Sequence, residues 1–355
     1  MIKFLKTKHG NVSLPSFFPD GTKGVVKGLD AIDLKNAKVE GLVINTYHLL
    51  VAGLEEKVEE IGGIHRLMGW QKPVITDSGG FQVMSLIHKD KHLGKMTDEG
   101  VTFQLPGTPR IKLTPEKSIQ MQIKLDSDIL ICLDDCTKPD QSIGEQEKSV
   151  ERTIAWARRC KQEFDKLVTL SKKRPLLFAV IQGGNNRELR KKCAKNLVEI
   201  GFDGYCFGGF PVDASGKFLK SIMKYTASLL PEDKVKYAMG IGNPGNIVDC
   251  SKMGYNLFDC VIPTREARHQ KLYVFNKKVT KSNVFGANLY STINIGATVY
   301  NKTMDPVSRY CDCHTCKNFS KAYLHHLFKI KDNAAFRLAT IHNLRFYSML
   351  MEALK

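Results

Sequence analysis

The sequence predicts an α/β chain: a (β/α)8 barrel over residues 1–295, then a smaller cysteine-bearing subdomain, residues 296–355, whose C-terminal helix packs on the barrel. Three observations carry this reading. Short apolar runs alternate with helix-like stretches about eight times over roughly 280 residues. Several runs end on Asp, Gln or Gly, where barrel strands deliver functional groups. No glycine-rich phosphate loop follows the first run, which argues against a doubly wound open sheet.

The runs are, in order, 41–45 (GLVIN), 73–77 (PVITD), 128–134 (DILICLD), 175–182 (PLLFAVIQ), 204–208 (GYCFG), 237–240 (YAMG) and 257–262 (LFDCVI). They lack the alternation of a half-exposed strand, as expected of parallel strands covered by helices. Between them, Thr114-Pro115-Glu116 reads as an N-cap with proline at the first helical position. Residues 144–166 carry Val150, Ile154, Ala157 and Phe164 on one helical face. Asp77, Asp134, Gln182, Gly208, Gly209 and Asp259 all fall at or near run ends, which places a candidate site at one mouth of the barrel.

The bulk properties narrow the function. The chain has 355 residues, 43% hydrophobic and 25% charged, so it is globular and not disordered. It has no apolar stretch of about 18 residues and no signal-peptide pattern at its start, so a cytoplasmic protein without a membrane segment is expected. Lys and Arg number 53 against 36 Asp and Glu, a formal charge of +17. That excess favours a polyanionic partner. The basic residues are spread out (Arg158-Arg159, Lys172-Lys173-Arg174, Arg190-Lys191-Lys192), as on a charged face of a folded body.

Seven of the ten cysteines are scattered, and three crowd together as Cys311-x-Cys313-x-x-Cys316. This is no disulfide framework, but three thiols on one polar loop suit a tetrahedral Zn²⁺. His314 is trapped within the loop. Spacing leaves His325, His326 and His342 open as the fourth ligand. Four protein ligands would make the site closed and structural.

Taken together, Asn45-Thr-Tyr-His-Leu49, Asp77-Ser-Gly-Gly-Phe-Gln82, Phe202-Asp-Gly-Tyr205 with Gly208-Gly209, Phe258-Asp-Cys-Val261 with Pro263-Thr-Arg265, and the cysteine cluster with Tyr323-Leu-His-His-Leu327 and His342-Asn-Leu344 resemble the tRNA-guanine transglycosylases, bacterial type, in order and over nearly the whole chain. The resemblance implies a (β/α)8 barrel with a zinc subdomain, one structural Zn²⁺ per chain, and His342 as the fourth ligand. It implies exchange of the wobble guanine of a tRNA anticodon for a 7-deazaguanine, in queuosine biosynthesis. In that chemistry a carboxylate stabilises and then captures the cationic ribose. Asp259 takes that role, and Asp77 that of general acid/base. Ser78, Gly208, Gly209 and Phe210 belong to the implied base pocket. Asp134 accepts from the purine N–H groups, Gln182 donates to its carbonyl, and Phe81 and Met239 sandwich the ring. The flipped-out base must enter this pocket. Arg265, Arg268, His269 and Lys271 hold the anticodon loop, and a homodimer is implied.

The departures concentrate after Gly209. Phe210-Pro211-Val212-Asp213-Ala214 stands where bacterial members have Leu-Ala-Val-Gly-Glu, with Ala214 at the glutamate position. Val212 replaces the glycine of queuine users, Pro211 offers no N–H, and Asp213 stands beside the missing glutamate. These changes point to the 7-aminomethyl base, with Asp213 and the Phe210 carbonyl receiving the ammonium; queuine and the 7-cyano base are the alternatives. Lys138-Pro139-Asp140 replaces Pro-Tyr-Pro, Gln270 a glycine, and Val51-Ala52-Gly53 an Arg-Pro-Gly. A catalytically silent tRNA-binding subunit would be expected to lose one carboxylate, and both are present.

Overall fold

Eight short parallel strands form the barrel: β1 (Ser16–Pro19), β2 (Leu42–Ile44), β3 (Val74–Thr76), β4 (Ile129–Ile131), β5 (Leu176–Ile181), β6 (Gly204–Phe207), β7 (Val235–Ala238) and β8 (Leu257–Cys260). The computed structural model describes residues 2–355 except 106, 108, 139–140, 169–173 and 214. Among the positions singled out above, Pro139, Asp140, Lys172, Lys173 and Ala214 therefore lie outside the described residues.

The strands follow one another in sequence order around the sheet, and β8 returns to pair with β1. A single parallel bridge, Asp20 to Val43, with Gly21 N–H donating to the Val43 carbonyl at 2.7 Å, joins β1 to β2. The first strand was missed in the sequence. Its four residues, SFFP, end on proline and lie within an otherwise loop-like segment, so no apolar run stands out. The interior is filled by inward side chains from alternate positions, among them Phe18, Val43, Ile75, Ile129, Ile131, Phe178, Val180, Cys206 and Leu257, all buried.

The helices form as their sequences dictate. Thr114 caps Pro115–Lys124 by accepting from Lys117 N–H. Ser142 and Glu145 form a reciprocal capping box at the start of Ile143–Leu167, which buries Val150, Ile154, Ala157 and Phe164 as its periodicity requires. An antiparallel three-stranded sheet (Gly94–Thr97, Gly100–Phe103, Ile111–Leu113) is inserted between β3 and β4. An N-terminal hairpin (Phe4–Thr7 with Gly10–Ser13) lies at the end where strands begin. There His9 stacks on His65 at 3.7 Å, and His9 N–H donates to the fully buried Asp128 at 2.8 Å, as does Val74 N–H at 2.9 Å.

Residues 296–355 share a core with the barrel. Val307, Leu324, Leu327, Leu338, Ile341 and Leu344 pack with Val26, Leu34, Leu49, Trp70 and Val74. The long helix Asn333–Leu354 ties the two together. Asn343 accepts from Tyr273 N–H and donates to the carbonyls of Pro263 and Lys271, while the Tyr347 hydroxyl donates to the Gly242 carbonyl. Gln270 adopts φ 66°, the left-handed conformation natural to the glycine it replaces.

Candidate active site and metal centre

The carboxyl ends of the strands surround a cavity of about 470 Å³. Asn45 follows β2, Asp77 follows β3, Gly208 follows β6, Met239 follows β7, and Asp259 lies within β8; all five line the cavity, together with Ser78, Gly79, Phe81, Gln82, Asp134, Gly209 and Phe210. These residues lie at or just past the ends of buried strands, and strand ends converge by geometry.

Asp77 is held by an array of donors. Its Oδ1 accepts from Thr46 N–H (3.0 Å), Thr46 Oγ1 (3.2 Å) and Gly79 N–H (3.1 Å); its Oδ2 accepts from Asn45 Nδ2 (2.8 Å) and Gln82 Nε2 (3.1 Å). Burial raises its pKa to about 6, and these hydrogen bonds, which favour the charged form, offset only part of that. Asp259 is held more sparsely, by Gly240 N–H at 2.8 Å and by the buried Tyr237 hydroxyl. Burial raises it to about 6 as well. Both carboxyls therefore change charge close to neutrality, where a proton can be given and recovered.

Asp134 is more strongly perturbed. Burial pushes it to about 7, and the neighbouring Asp135 and Asp77 add to the rise, while a 2.6 Å hydrogen bond from Gln182 Nε2 opposes it. Gln182 lies behind Asp134, 1% exposed and outside the cavity lining, and its Oε1 has no partner among the described residues. One amide hydrogen is thus already engaged by Asp134. The Oε1 of Gln82 is likewise buried and unpartnered. Together they are two acceptors beside the cavity awaiting donors. Phe81 and Phe210 stand at the rim, ring centroids 5.7 Å apart. Ser78 Oγ accepts from Gly80 N–H at 3.3 Å, shaping the turn after β3.

Asp213 is placed elsewhere. Its carboxylate accepts from Ser215 N–H (2.9 Å), Ser215 Oγ (2.6 Å) and Lys217 N–H (3.0 Å), closing a turn of its own at the surface. Those bonds hold its pKa below the ordinary carboxylate range, and it does not line the cavity. An Asp two residues before a Ser commonly folds back in this way, a local preference that competes with any ligand role. Phe210 and Pro211 do line the cavity; the Pro211 carbonyl is taken by Leu219 N–H at 2.9 Å.

The basic residues after Asp259 sit on the short helix Ile262–Arg268 and just beyond it. Arg265, His269 and Lys271 are exposed; Arg268 is half-buried and donates to the Thr264 carbonyl at 2.9 Å, and Lys271 pairs with Glu266 at 3.0 Å. Val261, which opens that helix, lines the cavity, so this basic surface adjoins the mouth. Arg190 departs from the sequence reading: it is not part of a solvated basic face but fully buried. Sequence reasoning also left Asn45, Thr46, Gln82 and Tyr237 without roles. The Asn45-Thr-Tyr-His-Leu49 motif contained the signal for the first two.

Of the histidines, the structure brings His342 to the cysteines. The ligand atoms of Cys311, Cys313, Cys316 and His342 lie within 4.8 Å of one another, with His342 Nδ1 3.2 Å from Cys316 Sγ and 3.7 Å from Cys313 Sγ. His342 Nε2 lies 2.8 Å from the Tyr273 carbonyl. A proton there leaves Nδ1 as a lone pair facing the sulfurs, the outer-shell arrangement of a metal-binding histidine. His325 instead faces the Ile295 carbonyl at 2.9 Å, His326 is exposed, and His314 pairs with Asn318. The cluster could hold a metal ion, and its donor set suits a soft tetrahedral one.

The comparisons agree with this architecture. The family described as "Queuine tRNA-ribosyltransferase" matches residues 2–355. The chain is 39% identical over 349 residues to the queuine tRNA-ribosyltransferase of Idiomarina loihiensis, covering 98% of this chain and 87% of that protein. It is 38% identical over 353 residues to that of Halothermothrix orenii (99% and 88%) and 40% identical over 346 residues to that of Mannheimia succiniciproducens (97% and 86%). With the whole chain matched and the motifs gathered around one cavity, this protein belongs to the queuine tRNA-ribosyltransferase family of pentosyltransferase enzymes.

Proposed function

We propose that the enzyme exchanges the wobble guanine of a tRNA anticodon for a 7-deazaguanine, through a covalent bond between Asp259 and the ribose. The observation that carries this reading is the set of three carboxyls, buried Asp134 and half-buried Asp77 and Asp259, around one cavity and all raised toward neutrality. Asp259 attacks the anomeric carbon as the glycosidic bond breaks. The leaving guanine takes a proton from Asp77. The incoming base returns a proton to Asp77 as its nitrogen displaces the Asp259 carboxylate. Asp134 reads the donor edge of the base, and Phe81 and Met239 border its faces. Arg265, Arg268, His269 and Lys271 hold the anticodon loop at the mouth. Both carboxylates remain in place, which favours an enzyme over a silent tRNA-binding subunit.

The incoming base is the 7-aminomethyl form. Pro211 cannot donate, and among the described residues nothing donates to the Phe210 carbonyl, leaving an acceptor suited to an ammonium. Asp213 does not add to this support. The cysteine–histidine cluster holds a structural Zn²⁺, one per chain, since three sulfurs and one nitrogen leave no open position. In that role it fastens segment 296–355 to the barrel. A second copy of the chain packs on the face carrying Val299, Met304 and Tyr323, whose side chains are exposed.

Unmodified tRNA incubated with labelled guanine, then with the 7-aminomethyl, 7-cyano and queuine bases, tests the reading. Label should enter tRNA, and the aminomethyl base should displace it most efficiently. No incorporation of guanine would overturn the function, and preferential use of queuine would overturn the choice of base.

A further inference from the structure

Arg190 sits in a run of three basic residues, yet Lys191 and Lys192 are exposed while Arg190 has no exposed surface at all. It lies in the first turn of the helix Arg187–Ile200, where the backbone dipole disfavours a cation. Among the described residues no carboxylate pairs with it. Burial draws its pKa down to about 10, so it stays charged at neutral pH. A buried cation without a carboxylate partner is costly, and hydrogen bonds to its nitrogens offset part of that cost. Here each of its three nitrogens donates to a carbonyl: Nη1 to Ile181 at 2.6 Å, Nε to Gly184 at 2.9 Å and Nη2 to Gly208 at 3.0 Å. Its guanidinium also stacks 4.0 Å over the Phe207 ring.

The three carbonyls lie at the end of β5 (Ile181), in the loop that follows it (Gly184) and just past β6 (Gly208), and Gly208 lines the cavity. A peptide is planar and trans, so its C=O and N–H point in opposite directions. Arg190 draws the Gly208 carbonyl away from the cavity, and the N–H of Gly209, in the same peptide, is thereby turned toward it. Gly209 lines the cavity, has φ +87°, and among the described residues its N–H has no acceptor. The Ile181 carbonyl, also held, precedes Gln182, the partner of Asp134.

We propose that Arg190 is a positioning residue for base recognition: it fixes the Gly208–Gly209 peptide so that the Gly209 N–H meets the carbonyl oxygen of the purine beside Asp134. This rests on the base exchange proposed above. The substituted guanidinium touches no substrate atom itself.

The test is guanine exchange by Arg190→Met and Arg190→Lys, measured against guanine and 6-thioguanine. Sulfur accepts a hydrogen bond poorly, so a fixed N–H makes the wild type prefer guanine. Arg190→Met should raise the KM for guanine roughly tenfold and shrink the preference over 6-thioguanine, with the KM for tRNA unchanged. Arg190→Lys, which keeps a cation and folds more readily, should fall between. Guanine KM and the guanine/6-thioguanine ratio equal to wild type in both variants would overturn the proposal, as would parallel losses for tRNA and both bases. Guanine binding by calorimetry separates the two readings. A wild type that binds guanine without exchanging it refutes the exchange, and the variants' affinity for the two bases still decides the role of Arg190.

Discussion

Asp134→Asn should stabilise the free protein while impairing base exchange, and the stabilisation should depend on pH. Asp134 is raised from 3.8 to about 7. Each unit corresponds to about 1.4 kcal/mol of preference for the protonated form, so three units amount to ~4 kcal/mol. Below pH 4 the carboxyl is protonated in both the folded and the unfolded chain, and no penalty exists. Between about 4 and 7 the folded chain keeps a proton that the unfolded chain has lost, so stability falls as pH rises. Above about 7 the full penalty is present. Asparagine imitates the neutral carboxyl, and its Oδ1 can still accept from Gln182 Nε2. The variant should therefore match wild type near pH 4 and exceed it near pH 8 by up to ~4 kcal/mol, a rise of several degrees in Tm. Thermal unfolding of both proteins at the two pH values measures this as a double difference, in which raised groups not coupled to Asp134 cancel. A variant no more stable than wild type at pH 8, or equally stabilised at both pH values, would refute the reasoning.

The other outcomes concern the same cavity and the cysteine–histidine cluster. Asp259→Ala should lower exchange by about a thousandfold or more while a gel shift shows tRNA still bound; appreciable exchange would remove Asp259 as nucleophile. Tyr237→Phe deletes a hydrogen bond that lowers the Asp259 pKa, so the acid limb of the pH–rate profile should move to higher pH. His342→Ala should lose the bound metal on elemental analysis and lower Tm, whereas His325→Ala should keep it. Asp213→Ala should change kcat/KM for guanine and for the aminomethyl base by the same factor, because its carboxylate serves its own turn; a selective loss of the aminomethyl base would bring it back into the pocket.

The barrel was legible because seven of its strands are short runs that are wholly or mostly apolar, broken only by Lys236 in β7 and Asp259 in β8, and a run buried on both faces leaves a strong trace. β1 left none: two phenylalanines between serine and proline do not announce a strand, and only closure onto β8 and β2 makes them one. The cavity lining was legible where a motif coincides with a strand end, as for Asp77 and Asp259, which meet around one cavity. It was not legible where local and distant partners compete. Asp213 could have faced a ligand or its own turn, and nothing in PVDAS decides between them. Arg190 reads as surface because charge normally means solvent. Three carbonyls brought together by tertiary folding reversed that rule, and carbonyl directions are invisible in sequence. Similarly, spacing left three histidines open as the fourth ligand, while the Tyr273 carbonyl orients one of them.

The helix Asn333–Leu354 carries a consequence for how far this chain can be divided. His342 reaches the cysteines, Asn343 grips the backbone at Pro263 just past β8, and Tyr347 holds Gly242 just past β7. One rod thus bears on the cysteine–histidine cluster and on the segments that follow β7 and β8, the strand that carries Asp259. Cutting the chain at residue 295 would remove this support behind β7 and β8 along with segment 296–355. Stripping the metal should therefore register first as a slackening of Asp259's surroundings, a drop in turnover at temperatures where the rest of the barrel still stands.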